Sequence, residues 1–367
     1  MARKLKSDKL MFLSVLLLVC TSVVMVYSAS AVIAMEQQST PYYFFYRQVA
    51  WVILGLCLLL GAMRIDYRRL KEPVVIWSGL AVCALGLIAV FVLAPEINGT
   101  RRWFAIGGIG VQPSELTKLA VIIFTAAVLE RRMDRIDEVS YSLLPIAMVA
   151  GLAAGLIIIE PDFGTALTLL AVVGTMVFAA GLSYRYVFGL ALTLGPLLYL
   201  VLASAPYRRQ RILSFLDPWS DPLGSGFQII QSLIAVGTGG VFGHGIMGGV
   251  QKLFFLPYPF TDFIYAVIAE ETGIVGATVV LGCFCVITWR GLRVSALAPD
   301  KFGAFLALGL TMMVALQAYL NISVVLSLVP TKGIPLPFVS AGGSSMLVSL
   351  LGMGVLLNIS QHASAEV

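Results

Sequence analysis

Residues 11–34 read MFLSVLLLVCTSVVMVYSASAVIA, an unbroken stretch with no formal charge. As a helix it would rise roughly 36 Å, enough to cross a hydrocarbon core of about 30 Å. The apolar part of a cleaved secretory leader is shorter, about 7–15 residues. The stretch is therefore read as a retained membrane-spanning helix. Working outward, apolar runs recur at Val49–Met63, Val74–Leu93, Leu116–Leu129, Leu143–Ile159, Ala166–Leu182, Val187–Ala203, Phe263–Trp289, Phe302–Leu328 and Ser345–Ile359. The expected fold is all-α: a polytopic membrane protein of about ten transmembrane helices in one domain, residues 1–367.

Composition agrees with that reading. Of 367 residues, 59% are hydrophobic and only 12% charged, with a mean hydropathy of +0.95. A soluble domain carries about 25% charged residues. The five cysteines (Cys20, Cys57, Cys83, Cys283, Cys285) all lie in apolar runs, without disulfide or zinc-ligand spacing. His244 and His362 are the only histidines, which argues against a histidine-based metal cage. No Walker loop, Rossmann glycine pattern or Ser-His-Asp arrangement is present, so the energy for any reaction would reside in the substrate.

Lys and Arg fix the orientation. With the N-terminus inside, Arg3, Lys4, Lys6, Lys9, Arg64, Arg68, Arg69, Lys71, Arg131, Arg132, Arg135, Arg185, Arg290, Arg293 and Lys301 face the cytoplasm. Fewer basic residues fall outside, and half of those (Arg208, Arg209, Arg211, Lys252) share one long loop, where the rule weakens. Both termini are placed in the cytoplasm. Outside lie the elaborate loops: residues 95–114, and residues 205–261. The second contains Phe227–Val236, read as a short interfacial or re-entrant helix, followed by a glycine-rich stretch. Loops this long usually carry function.

Ionisable groups near lipid mark candidate sites. Glu115 and Lys118, three apart, share a helix face and pair; this is a simple ion pair or part of a site. Asp162, in Glu160-Pro161-Asp162-Phe163-Gly164-Thr165, reads as a helix cap or a functional acid. Asp262 stands before an apolar run at the end of the glycine-rich loop. Capping and general-base roles are both open to it, since desolvation raises a carboxylate's pKa. Glu270 and Glu271, eight and nine residues into the following helix, lie roughly 12 Å deeper than Asp262, and at least one should face a polar partner inside the bundle. Arg101, Arg102, Arg208, Arg209 and Arg211 suit phosphate groups, whether of a substrate or of lipid head groups.

Taken in order, the motifs are Asn98-Gly99-Thr100-Arg101-Arg102-Trp103, Gln112-Pro113-Ser114-Glu115-Leu116-Thr117-Lys118, and Pro161-Asp162-Phe163-Gly164-Thr165-Ala166. Next come Asp217-Pro218-Trp219, Gly226-Phe227-Gln228, Gln251-Lys252-Leu253 and Thr261-Asp262-Phe263. Glu270-Glu271, Pro330-Thr331-Lys332-Gly333, Leu336-Pro337-Phe338 and Gly342-Gly343-Ser344-Ser345 complete the series. Over nearly the whole chain, from about Leu10 to Ile359, this strongly resembles the SEDS family (shape, elongation, division and sporulation), which includes FtsW, RodA and SpoVE. Lys332 in Pro-Thr-Lys-Gly is closer to the FtsW branch than to the RodA branch.

The resemblance implies a ten-helix peptidoglycan glycosyltransferase of the bacterial cytoplasmic membrane. Its substrates would be lipid II and the glycan carried on undecaprenyl pyrophosphate. Its partners would be a class B penicillin-binding protein (a transpeptidase) and other divisome proteins, with no nucleic acid. The family's essential aspartate aligns with Asp262, its Glu and Lys pair with Glu115 and Lys118, and its PDFGTA aspartate with Asp162. Glu270, Lys332 and Ser344 fall in further shared motifs. A Mg²⁺ or Mn²⁺ cofactor is allowed by the likeness, although the sequence shows no ligand cage. The chain departs from the family at Tyr258-Pro259-Phe260, where Glu-Ala-His is usual. Glu160 also replaces a common Gln, and Ala341 a common Tyr. The competing readings are a lipid II flippase and a non-catalytic divisome scaffold.

Overall fold

The computed structural model describes residues 7–96, 100–106, 109–136, 138–186, 188, 189, 192, 210 and 213–363. Its helices are α1 (Lys9–Gln38), α2 (Tyr43–Ala62), α3 (Pro73–Leu93), α4 (Pro113–Arg132), α5 (Leu144–Ile159), α6 (Phe163–Ala179), α7 (Phe227–Thr238), α8 (Ile264–Leu297), α9 (Lys301–Val325) and α10 (Gly343–His362). Nine of the ten apolar runs anticipated from sequence become helices other than α7, and the Phe227–Val236 segment becomes α7. The tenth run, Val187–Ala203, lies almost wholly outside the described residues, as do Arg208, Arg209 and Arg211.

The helices start where their sequences provide for it. Asp8 caps α1 through the Met11 amide, 3.0 Å away, and Asp300 caps α9 through the Gly303 amide at 2.7 Å. Proline occupies the first turn of α3, α4 and α5, where a missing amide costs nothing. Among the described residues seven helices, α1, α2, α3, α8, α9 and α10 among them, are long and apolar enough to span a membrane. The protein is a multi-pass membrane protein. Large apolar side chains such as Ile53, Val82, Leu85, Met148 and Leu152 are left on its outer faces, as lipid requires.

α9 is the central post. It packs on α4, α6, α8 and α10, while α1 runs along α8 and α2 along α10. A small antiparallel hairpin, β1 (Phe104–Ile106) with β2 (Ile109–Val111), sits between α3 and α4. Its signal lay in the alternating residues flanking Gly107-Gly108, which the loop assignment for residues 95–114 passed over.

α8 is not straight, and this corrects the expected depth of Glu270 and Glu271. The chain breaks at Gly273, whose φ of 67° and ψ of −167° leave the helical region and favour glycine. The bend folds the short first segment back, so that the Tyr265 hydroxyl reaches the carbonyl of Ala277 at 3.2 Å. A straight helix would hold those two residues roughly 18 Å apart. Only the segment after Gly273 crosses the bundle alongside α1. Two buried charge clusters mark the ends of that crossing: Arg290 with Asp8, and Glu271 with Ser28. Along α1 they are separated by roughly 30 Å, the thickness of a hydrocarbon core. Glu271 therefore sits at the rim, not deep inside.

Asp8 both caps α1 and neutralises the buried Arg290. Replacing Asp8→Ala is expected to lower stability by roughly 3–5 kcal/mol, because it strands a buried guanidinium. Thermal unfolding in detergent checks this, and Asp8→Ala with Arg290→Met should recover part of the loss.

Candidate functional site

The candidate residues converge at the end of the bundle where α4, α6 and α10 begin. Gln112, the residue before α4, ties three strands of chain together. Its side-chain amide donates to Asp162 Oδ2 at 3.0 Å, and its backbone amide donates to Ser344 Oγ at 3.3 Å. Asp162 is held further by the Thr165 hydroxyl at 2.8 Å and the Thr165 amide at 3.2 Å. It is thus the cap of α6 and a member of the cluster at once. Ser344 lies in the first turn of α10.

Asp262 does not cap α8. The cap position is Phe263, and no side chain satisfies the first amides there. Instead, Asn321 of α9 grips the backbone on both sides of the site. Its amide donates at 2.7 Å to the carbonyl of Asp262 and at 2.7 Å to that of Ile334. This brings residues 330–335 against the Asp262 carboxylate: a Cβ built on Gly333 would stand 2.8 Å from Asp262 Oδ2. Lys332 runs on the other side of the same segment. A Cβ built on Gly164 would lie 3.2 Å from Lys332 Cε and 3.5 Å from Asp162 Oδ1. Asp262, Gly333, Lys332, Gly164 and Asp162 therefore form one continuous patch.

Below it, Lys118 pairs with Glu115 at 3.0 Å and also donates to Gln317 Oε1 at 2.9 Å. All three side chains are buried. Gln317 in turn donates to the carbonyl of Pro335, so the pair supports the same segment. Gln317 and Asn321 are site residues that the motifs do not flag. The signal was two amides four apart in an apolar helix, hence on one face.

Of the predicted arginines, Arg102 has a defined task. It donates to the carbonyls of Glu160 at 2.8 Å and Pro161 at 2.6 Å, clamping the turn that presents Asp162. Arg101 is exposed and donates to the carbonyl of Phe91 at 3.1 Å. Glu270 is not in the patch; it holds a distant part of the glycine-rich loop.

The electrostatics single out two carboxyls. Burial pushes Asp262 up to about 6, with Asp162 adding to the rise and Arg102 opposing it. The Asp262 carboxylate has no hydrogen-bond or ion-pair partner among the described residues, so a lone pair stays available. Glu160 is buried, and both its oxygens lack partners. Burial and the nearby Asp162 raise it to about 8, against Arg102. At neutral pH it is an uncharged acid, close to the Gln usual in its place. Among the described residues no three His, Cys, Asp or Glu side chains converge as a metal cage. Mg²⁺ needs no such cage, since one or two carboxylates together with substrate phosphates hold it.

A bundle of membrane helices that gathers an unpaired carboxylate, a lysine and an arginine at one end carries a candidate membrane-embedded enzyme site. The family model for cell cycle proteins of the FtsW/RodA/SpoVE type matches residues 8–365, and the chain belongs to this family. It is 42% identical to a probable peptidoglycan glycosyltransferase FtsW of Geobacter metallireducens, over 96% of this chain and 94% of that one. It is 41% identical to the stage V sporulation protein E of Bacillus subtilis, over 98% and 99%. Among solved structures, it matches a chain of a peptidoglycan synthase complex concerned with coordinating polymerization and crosslinking. That match has a TM-score of 0.79 at 33% identity, covering 97% and 98% of the two chains. The rod shape determining protein RodA of Thermus thermophilus matches with a TM-score of 0.72 at 27% identity, over 98% and 99%.

Glu160 gives a pH test with a definite sign. The folded protein keeps the Glu160 proton up to about 8, whereas the free side chain loses it near 4.5. The folded state thus binds the extra proton in that window, and stability falls as pH rises through it. Glu160→Gln should melt with the unmodified protein at the acid end and above it at the alkaline end.

Proposed function

We infer that this chain is a peptidoglycan glycosyltransferase that polymerises lipid II at the outer face of the bacterial cytoplasmic membrane. The observation that carries the reading is the Asp262 carboxylate: raised to about 6, unpaired, and facing the Lys332–Gly333 segment. The relatives named glycosyltransferases supply the reaction class, and cell division is the process their FtsW name points to.

The acceptor is the 4-hydroxyl of the GlcNAc of one lipid II. The donor is C1 of the terminal MurNAc of the growing glycan. Asp262 takes the hydroxyl proton as the oxygen attacks C1. A C1–O4 bond forms, the C1–oxygen bond to the diphosphate breaks, and undecaprenyl pyrophosphate leaves with the electron pair. A pKa near 6 leaves the base ionised at neutral pH yet basic enough to share the proton in the transition state. Lys332 and Arg102 place positive charge on the side of the patch where the diphosphate departs. Arg101 is a further exposed cation. Asp162 and Ser344, joined through Gln112, fix the floor of the site, and Glu115–Lys118 with Gln317 orders the cavity beneath it. Both termini face the cytoplasm in this reading. A class B penicillin-binding protein crosslinks the strands, in keeping with the synthase complex that the chain resembles.

Asp262→Asn keeps the side chain's size and removes its basicity. With purified lipid II and the partner present, polymer formation should drop by about 10²–10⁴-fold. A well-folded variant with near-normal polymer would sink the assignment. A flippase would need no such base, and lipid II supplied only on the outer leaflet separates the two activities. The pH profile offers an independent check. A base must be ionised to act, so kcat/KM should rise with pH through about 6 and level off above it.

A further inference from the structure

The buried acids outside the reaction site lie together at the break in α8. Breaking a helix leaves its last carbonyls and the next amides without partners, a cost of several kcal/mol in lipid. Here the glycine-rich loop supplies them. The amides of His244 and Gly245 donate to the carbonyls of Glu270 and Glu271 at 3.1 and 2.9 Å. Beyond Gly273, the amides of Ile274 and Val275 donate to the carbonyls of Gly240 and Val241 at 3.0 and 3.2 Å. The loop is thus threaded through the break.

The two glutamate side chains then clasp the loop's next turn. Glu270 accepts from the amides of Val250 at 2.7 Å and Gln251 at 3.1 Å. Glu271 accepts from the amide of Met247 at 3.0 Å and from Lys252 Nζ at 2.6 Å. Lys252 and Glu271 both reach Ser28 of α1, at 2.8 and 2.6 Å. All four side chains are buried. This is more polar structure than a loop needs to be tolerated, and none of it touches the reacting patch. Its covalent reach does touch it: the clasped segment ends at Lys252, and ten residues later the same chain delivers Asp262.

We propose that Lys252, Glu270 and Glu271, with Ser28 as their tie to α1, are positioning residues. They set where Asp262 stands relative to the Lys332–Gly333 segment. The far side of Asp262 is held by Asn321, which grips only backbone. With the clasp open, the loop loses its fixed end upstream, and Asp262 is left to Asn321 and to the backbone bonds at Phe260 and Thr261. The proton-transfer geometry then degrades while substrate binding, which uses other surfaces, persists. This inference rests on Asp262 being the base, and the experiment separates the two.

The test uses Lys252→Met in the full chain with its transpeptidase partner, with two readouts. One is steady-state polymerisation of lipid II; the other is amide hydrogen exchange across residues 243–262. Faster exchange in that segment together with a kcat about 10–10²-fold lower and an unchanged KM for lipid II is the expected result. Lys252→Met leaves Glu271 buried and unpaired, so the double variant Lys252→Met with Glu271→Gln is measured beside it. It removes both charges and keeps a foldable core, and it should show the same paired changes.

Faster exchange with normal kcat overturns the proposal, because the clasp then holds the loop without placing the base. Slower turnover with unchanged exchange overturns it too, because the loop would not be the route. An Asp262→Asn arm reads the base assignment separately. If that variant polymerises normally, the base reading fails, whatever the clasp variants do to exchange.

Discussion

Four backbone hydrogen bonds across the break at Gly273 hold the functional end of this protein together. Lipid allows no bare amides or carbonyls, so a spanning helix breaks only where other chain can fill the gap. The glycine-rich loop fills it, because its small residues let the backbone approach closely. With the break satisfied, the first segment of α8 folds back and carries Asp262 toward α9. Without it, Asp262 would be the first residue of a straight helix and an ordinary cap.

The same constraint explains the other polar groups. Each buried charge in the bundle has a partner that also anchors backbone. Lys118 joins Glu115 to Gln317, which holds Pro335. Arg102 holds the carbonyls of Glu160 and Pro161. Asp8 caps α1 and pairs with Arg290. The carboxyls of Asp262 and Glu160 are the exceptions among the described residues, and the cost of leaving them without partners shows as a raised pKa in both. In a membrane that cost selects for use. Glu160 meets the same cost differently, by keeping its proton.

The departure at Tyr258-Pro259-Phe260 also has a structural outcome. Phe260 packs its ring on Phe44 of α2, with centroids 4.8 Å apart, and its carbonyl accepts from the Ala341 amide at 2.9 Å. A ring contact and a backbone bond secure the approach to Asp262 there. Support for the site in this chain comes from packing at that position, and the acid–base groups lie elsewhere.

The sequence by itself determined the membrane class, nearly every helix and which acids stand where lipid should be. Those follow from local facts: the length of apolar runs, a charge where lipid should be, and the order of motifs. Asp162 and the Glu115–Lys118 pair stood out for that reason. What only the tertiary structure decided is which groups meet. Asn321 and Gln317, far along the chain from Asp262 and Lys118, reach them because α9 is the post on which the other helices pack. Glu270 and Glu271 left the expected interior because the bend at Gly273 depends on a loop that precedes it by some thirty residues. Hydropathy is a property of a window of sequence. A bend whose open hydrogen bonds are closed from elsewhere is a property of the folded chain.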